Sequence, residues 1–212
     1  MKVIIVSPAY PLRGGIAEST ELLYKEYLKH DISCQIISYS LQYPSFLFPG
    51  KNQTIYDSEK KKLNIMSSLN SINPISWKRV SKLIISKKPN YVILRYWNPF
   101  FAPCLGFIGS RLKKNKILTI AWVDNVIPHE NIFLQKRLTK YFLNRVDSAL
   151  VMSKSVKSDL LTVLPTKNVV YAPHPIYNNF GSIISMNKSR RTLNLDLSTK
   201  YILFFGFIRK YK

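Results

Sequence analysis

"KVIIVSPAYPLRGGIAEST" occupies residues 2–20, and its reading decides the fold. After Lys2 comes an unbroken β-branched run, "VIIV", the pattern of a strand buried on both faces. The far end opens a helix over 16–29, "IAESTELLYKEYLK". There Ile16, Leu23 and Tyr27 share a face with Ala17, Tyr24 and Leu28, while Glu18, Glu21, Lys25 and Lys29 take the wet side. Between the two lies a junction carrying Gly14 and Gly15. Strand, glycine junction and helix together form the first unit of a parallel sheet.

The rest of the chain repeats that unit. "SCQIISYS" (33–40) predicts a second strand, and Leu41 to about Ser71 reads as a long loop holding at most a short helix. "NPISWKRVSKLIISKK" (73–88) opens with Asn73 as a cap and Pro74 at the first helical position, with Trp77, Val80 and Ile84 as its apolar stripe. "YVILRY" (91–96) predicts a strand, 102–114 a helix, "KILTIAWV" (116–123) a strand and 132–145 a helix. "SALVMS" (148–153), 154–164 and "NVVYA" (168–172) continue as strand, helix and strand. Nearly all-apolar strands separated by helices predict an α/β, Rossmann-like, doubly wound parallel sheet. Pro173 to about Thr199 has the weak periodicity of a linker. After it, "YILFFGFIRKYK" (201–212) reads as a strand feeding a glycine-containing basic loop. The expected organisation is a Rossmann-like domain over 1–180, a linker over 181–200, and over 201–212 the first strand of a second domain cut short.

Length and composition agree with a folded chain. At 212 residues, 46% apolar and 13% aromatic, there is material for a substantial core, which excludes a disordered class. The formal net charge of +21 predicts attraction to a polyanion: anionic lipid, nucleic acid or a phosphorylated small molecule. The basic stretches that share helices with aromatic or aliphatic residues lie in 78–88, 111–116 and 136–145. Cys34 and Cys104 stand far apart and fit no metal spacing, as reduced thiols of a cytoplasmic protein would. The N-terminal apolar run is too short for a signal peptide, and "PFFAPCLGFIG" (99–109) is too short to span a bilayer.

The candidate chemistry sits where strands end. In "SPAYPLRGGIAEST" (7–20), Gly14 and Gly15 let backbone approach a ligand and the helix start offers N–H groups to an anion, or they simply make a tight turn. Arg13 beside them is either a phosphate partner or a solvated loop charge. The three-glycine dinucleotide fingerprint and the Gly-Lys-Ser/Thr phosphate loop are both missing. "WVDNVIPHEN" (122–131) gathers Asp124, Asn125, His129 and Glu130; the His-Glu pair suits acid–base work or the loop caps a helix. "YWNPFFAP" (96–103) reads as core aromatics before a ligand platform, and "APHPIYNNFG" (172–181) holds His174 between prolines as a hinge or a site. In "GFIRKYK" (206–212), Arg209, Lys210 and Lys212 suit a diphosphate or are merely solvated. No metal-binding acidic pair is evident.

In order along the chain, "PAYPLRGGIA", "DNVIPHE", "RVDSALVMSKSVKSDL", "PHPIY" and "ILFFGFIRKYK" resemble the two-domain glycosyltransferases of the GT-B fold, especially the retaining family 4. The resemblance implies that this chain is the N-terminal, acceptor-side half of a clamshell, with a nucleotide-sugar-binding half missing. It implies that Gly14 and Gly15 face the donor phosphates, and that Asp124 stands where the family often has a histidine, with His129 near. Arg13, Asn125 and Glu130 are then expected on the acceptor side. Lys212 matches the lysine of the family's diphosphate-binding pair, and Arg209 substitutes for its arginine, whose usual position is Phe207. The resemblance implies a nucleotide-diphosphate sugar as co-substrate, a lipid-linked or glycan acceptor and no metal or cofactor. The charge adds an anionic membrane surface as expected partner, and the lack of any nucleic-acid motif leaves nucleic acid out. The cysteines and short N-terminal run make the expected location cytoplasmic, and the charge makes it peripheral on the inner face of the cell membrane. A different class, a non-catalytic basic module for nucleic acid or anionic membrane, accounts for the charge but leaves the glycine junction unexplained.

Overall fold

A computed structural model describes residues 1–44, 53–56, 63–126, 134–176 and 181–204. The chain divides into two compact units, Met1–His174 and Pro175–Lys212.

The first unit is a seven-stranded sheet in the order β3-β2-β1-β4-β5-β6-β7. The strands are β1 (Lys2–Val6), β2 (Ser33–Leu41), β3 (Ile65–Asn70), β4 (Tyr91–Tyr96), β5 (Leu118–Val123), β6 (Ser148–Val151) and β7 (Val169–Tyr171). Every pairing is parallel. Parallel strands need crossovers, and helices supply all of them except that from β2 to β3, where no helix lies among the described residues. The crossover helices are α1 (Gly15–Lys29), α2 (Pro74–Ser86), α3 (Ala102–Lys114), α4 (Gln135–Leu143) and α5 (Lys154–Val163). A right-handed crossover from β1 to β2 runs toward one sheet edge, whereas those from β3 onward run toward the other. So α1 covers one face and α2 to α5 cover the opposite one. The expected doubly wound α/β sheet is present.

Strand order follows from burial. Val3, Ile4, Ile5 and Val6 of β1 are all fully buried, as the central position requires. Alternate residues feed two cores. Ile4, Val6, Leu94, Ala121 and Val151 pack beneath α2 to α5, and Val3, Ile5, Ile36, Ile93 and Trp122 pack with Tyr24 of α1. The Asn73 side chain accepts from the Ile75 and Ser76 backbone N–H groups, with Pro74 opening α2 as the spacing predicts. Between α3 and α4 the approach is close at two glycines. A Cβ on Gly109 would stand 2.8 Å from the Arg145 carbonyl oxygen, and one on Gly106 would run into the Tyr141 ring.

Strand β3 corrects the expectation of a loop with a short helix over 41–71. "IMSSLN" lies at the sheet edge, where of its residues only Leu69 is fully buried, so neither a long apolar run nor alternation marks it. Its register against β2 shifts between Ser38 and Tyr39 and again between Tyr39 and Leu41.

The second unit holds α6 (Met186–Thr192), where the sequence shows only weak periodicity. The Ser185 hydroxyl caps it at Lys188 N–H, and the Arg190 guanidinium donates to the carbonyls of Leu197 and Thr199. Asp196 accepts from the Ser198 and Thr199 backbone N–H groups, and hydrogen bonding, led by Ser198, pulls its carboxyl down to about 2. Tyr201–Phe204, read as the start of a strand, carry no regular secondary structure; Ile202 and Leu203 are almost fully exposed, with no strand partner among the described residues. Residues 205–212 lie outside the described residues.

Candidate functional site

In a parallel sheet the carboxyl ends of all strands share one edge, and the loops leaving them meet there. The first of these loops, after β1, is pinned on several sides. Ala9 N–H donates to the Ser38 hydroxyl (3.0 Å) and Tyr10 N–H to the Glu21 carboxylate (2.9 Å). Leu12 bridges to Thr54, and Arg13 N–H donates to the Gln53 carbonyl (3.0 Å). Gly14 then caps α1 at φ 119°, a conformation that disfavours any side chain. Gly15 starts the helix, and no atom lies within 4 Å of where a Cβ would be on either glycine. Arg13, Gly14 and Gly15 are all exposed. The junction thus offers open backbone at a helix start.

Asp124 follows β5 directly, its N–H donating to the Tyr96 carbonyl (2.9 Å). The residue that joins it to the glycine junction is Arg95. Its guanidinium donates through Nε and Nη2 to the two Asp124 carboxylate oxygens, both at 2.7 Å, a bidentate pair. Nη1 reaches the Thr20 hydroxyl (3.2 Å) and the Ile16 carbonyl (3.5 Å) on the first turns of α1. Thr20 in turn shares a 2.7 Å hydrogen bond with the Ser7 hydroxyl at the end of β1. The guanidinium carbon lies 3.6 Å from the centre of the Trp122 ring, a cation–π contact. Arg95 is 2% exposed and the Asp124 side chain 18%, so the pair sits at the boundary between core and rim.

The arrangement fixes the Asp124 carboxylate while leaving it further acceptor capacity, since a carboxylate can accept about four hydrogen bonds. Arg95 links Asp124 to Ile16 and Thr20 on the first turns of α1, the helix that Gly14 caps. Asn125 follows Asp124 and is half-buried. His129, Glu130, Arg209 and Lys212, expected at the site, lie outside the described residues.

Arg95, Thr20, Ser7 and Trp122 carry the constellation and escape a motif reading. One signal was present. Arg95 is the lone charge in "YVILRY", a strand pattern that buries both faces, and a buried charge needs a partner.

A separate surface lies on the α2–α4 side of the same edge. A groove of about 330 Å³ opens there among Ile72, Trp77, Pro99, Phe100, Pro103 and Leu138, with Ser71 at its wall. Beneath it an aromatic cluster links Tyr39, Tyr43, Trp97, Phe100 and Phe101. Most of "YWNPFFAP" is thus packing: Tyr96 and Phe101 are fully buried, and only Phe100 and the prolines reach the groove. Among the described residues no cluster of His, Cys, Asp and Glu could hold a metal ion, and no helix is long and apolar enough to cross a membrane.

No family model and no curated protein matches the chain. Solved structures do. The Anabaena protein HepE in complex with UDP matches with a TM-score of 0.58 at 10% identity, over 92% of this chain and 50% of that one. UDP-N-acetylglucosamine 2-epimerase from Rickettsia bellii matches at 0.55 and 15% identity, over 82% of this chain and 44% of that one. An alpha-glucosyltransferase in complex with UDP and a 13-mer DNA matches at 0.55 and 11% identity, over 83% and 43%. The chain spans half or less of these proteins, and identities this low speak to fold alone. The fold is a Rossmann-like sheet matching the N-terminal half of GT-B structures.

Proposed function

We propose that this chain is the acceptor-side half of a glycosyltransferase that uses a nucleotide-diphosphate sugar. The acceptor is lipid-linked or a polysaccharide, transfer proceeds with retention, and the setting is cell-surface glycan synthesis at the inner face of the membrane. The observation that carries this reading is the Arg95 bridge, which ties Ile16 and Thr20 on the first turns of α1, just past the open glycines, to a fixed carboxylate at Asp124. It is supported by the fold likeness to UDP-bound proteins, one of them a glucosyltransferase.

The site's contribution would be positioning and electrostatic stabilisation. Backbone N–H groups at Gly15 and Ile16 face the diphosphate oxygens as charge builds on the leaving group. Arg13 beside them is assigned, with Asn125 and Glu130, to the acceptor. Asp124, held by Arg95, accepts a hydrogen bond from a sugar hydroxyl and fixes the ring against the acceptor. Of the other expected site residues, His129 is assigned to the reaction centre, and Arg209 and Lys212 to the diphosphate. No metal or cofactor is invoked. Because the chain spans half or less of its structural neighbours, turnover is assigned to the two-domain protein, and residues 1–212 alone are expected to transfer no measurable sugar.

Calorimetric titration with a panel of nucleotide-diphosphate sugars tests the reading. The expected result is weak binding of at least one, abolished by Gly15→Val with the fold intact. Failure of every donor to bind, or unchanged binding by Gly15→Val, would contradict it.

A further inference from the structure

We infer that the groove-bearing face built by α2, the start of α3 and α4 is a docking surface for an anionic lipid bilayer. Neighbouring contacts place α3 between α2 and α4. Helices in such a sheet run opposite to the strands, so the starts of all three lie at the carboxyl edge, where the groove opens. On one flank α2 exposes Lys78, Arg79 and Lys82, and on the other α4 exposes Lys136, Arg137 and Lys140. None of the three helices contains an acidic residue. The apolar part protrudes: Ile72 is 51% exposed, Ile75 69% and Leu134 47%.

Charge and shape together choose the occupant. A second copy of this face would set like charge against like charge. Nucleic acid would satisfy the cations but has no use for isoleucines standing in water beside an apolar groove. An anionic membrane satisfies both: headgroups meet the lysines and arginines, and the interfacial acyl region takes Ile72, Ile75 and the groove mouth. α1, by contrast, exposes Glu18 and Glu26 beside Lys25 and Lys29, with Glu21 buried. The surface rests on the proposed lipid-linked acceptor for its purpose and on these residues for its location. Bound this way, the carboxyl edge faces the bilayer side from which such an acceptor would arrive.

The test is co-sedimentation with phosphatidylcholine vesicles carrying increasing phosphatidylglycerol, beside binding to random duplex DNA. Binding is expected to require the anionic lipid. Ile72→Ser with Ile75→Ser, which leaves the charge unchanged, is expected to weaken it roughly tenfold. Lys136→Gln, Arg137→Gln and Lys140→Gln together are expected to weaken it about a hundredfold. Lys25→Gln with Lys29→Gln on α1 is expected to stay within about twofold. The substituted residues are exposed, so unfolding temperature and circular dichroism should not change. Serine variants that bind like the parent, an α1 variant that loses as much as the α4 variant, or duplex DNA bound more tightly than vesicles would overturn the assignment. The assay contains no nucleotide sugar, so its failure leaves the donor titration standing, and the reverse holds too.

Discussion

On one side of the sheet α1 balances exposed Glu18 and Glu26 against Lys25 and Lys29, and its first turns are bound into the Arg95–Asp124 constellation. On the other side α2, α3 and α4 hold no acidic residue and frame an apolar groove. The first region is polar, partner-rich and tied to the core. The second is apolar and cationic, with its charges turned outward. Both lie at the carboxyl edge, so one edge of one sheet presents two surfaces suited to different ligands. The difference teaches that the net charge of +21 is not spread evenly over the helices, and that the polar site is built from inside the sheet.

The comparison breaks most visibly at Arg95. Arg95→Met strands the Asp124 carboxylate and removes the donor to Thr20, and should cost about 3–5 kcal/mol in urea unfolding. Arg95→Met with Asp124→Leu should recover much of that loss, because a pair replaced by apolar groups leaves no orphaned charge. If the double variant is no more stable than the single, the pair is not the unit described.

On the opposite face, Gly109→Ala drives a Cβ against the Arg145 carbonyl oxygen and should cost about 1–3 kcal/mol. Gly106→Ala should cost less, because the Tyr141 ring can turn aside where a backbone carbonyl cannot. Equal losses would show that α3 and α4 adjust as whole helices.

Gly14→Ala should cost about 1–3 kcal/mol, because φ 119° with ψ 166° is a backbone conformation essentially only glycine adopts, while Gly15→Ala should leave stability unchanged. Smaller effects sharpen the picture. Asn73→Ala removes the α2 cap and should lower stability by about 1 kcal/mol. The smallest is chemical. Burial pushes the Cys34 thiol up to about 12 from an ordinary 9.0, so the native state keeps its proton where the unfolded state loses it. This contribution to stability is complete below about pH 9 and is lost as pH rises toward 12. Cys34 should accordingly resist iodoacetamide at pH 8 until denaturant is added, as should buried Cys104.

Central features were legible because local signals agreed with the fold. β1 is an uninterrupted apolar run and Asn73-Pro74 announces α2, whereas on α1 Glu21, expected on the wet side, is buried to accept from Tyr10 N–H, and Leu28, expected on the apolar face, is exposed. β3 was not legible, because an edge strand buries little and "IMSSLN" has no need to look apolar. Gly14, Gly15 and Asp124 stood out from their places after strands, yet Arg95, 75 residues from Thr20 and 29 from Asp124, joins α1 to that carboxylate, a relation only strand order creates. The basic stretches in 78–88, 111–116 and 136–145 were visible one by one. Their gathering on one face, with the acidic residues of α1 on the other, depends on crossover handedness, which no single stretch records.

The most direct test is a backbone amide NMR map of the protein with a nucleotide-diphosphate sugar and, separately, with anionic bicelles. The account predicts that the nucleotide sugar shifts resonances at Gly14, Gly15, Ile16, Asp124 and Asn125, and that bicelles shift those from Ile72 to Arg79 and from Leu134 to Lys140. Both ligands moving the same set, or the nucleotide sugar leaving residues 14–16 untouched, would contradict it.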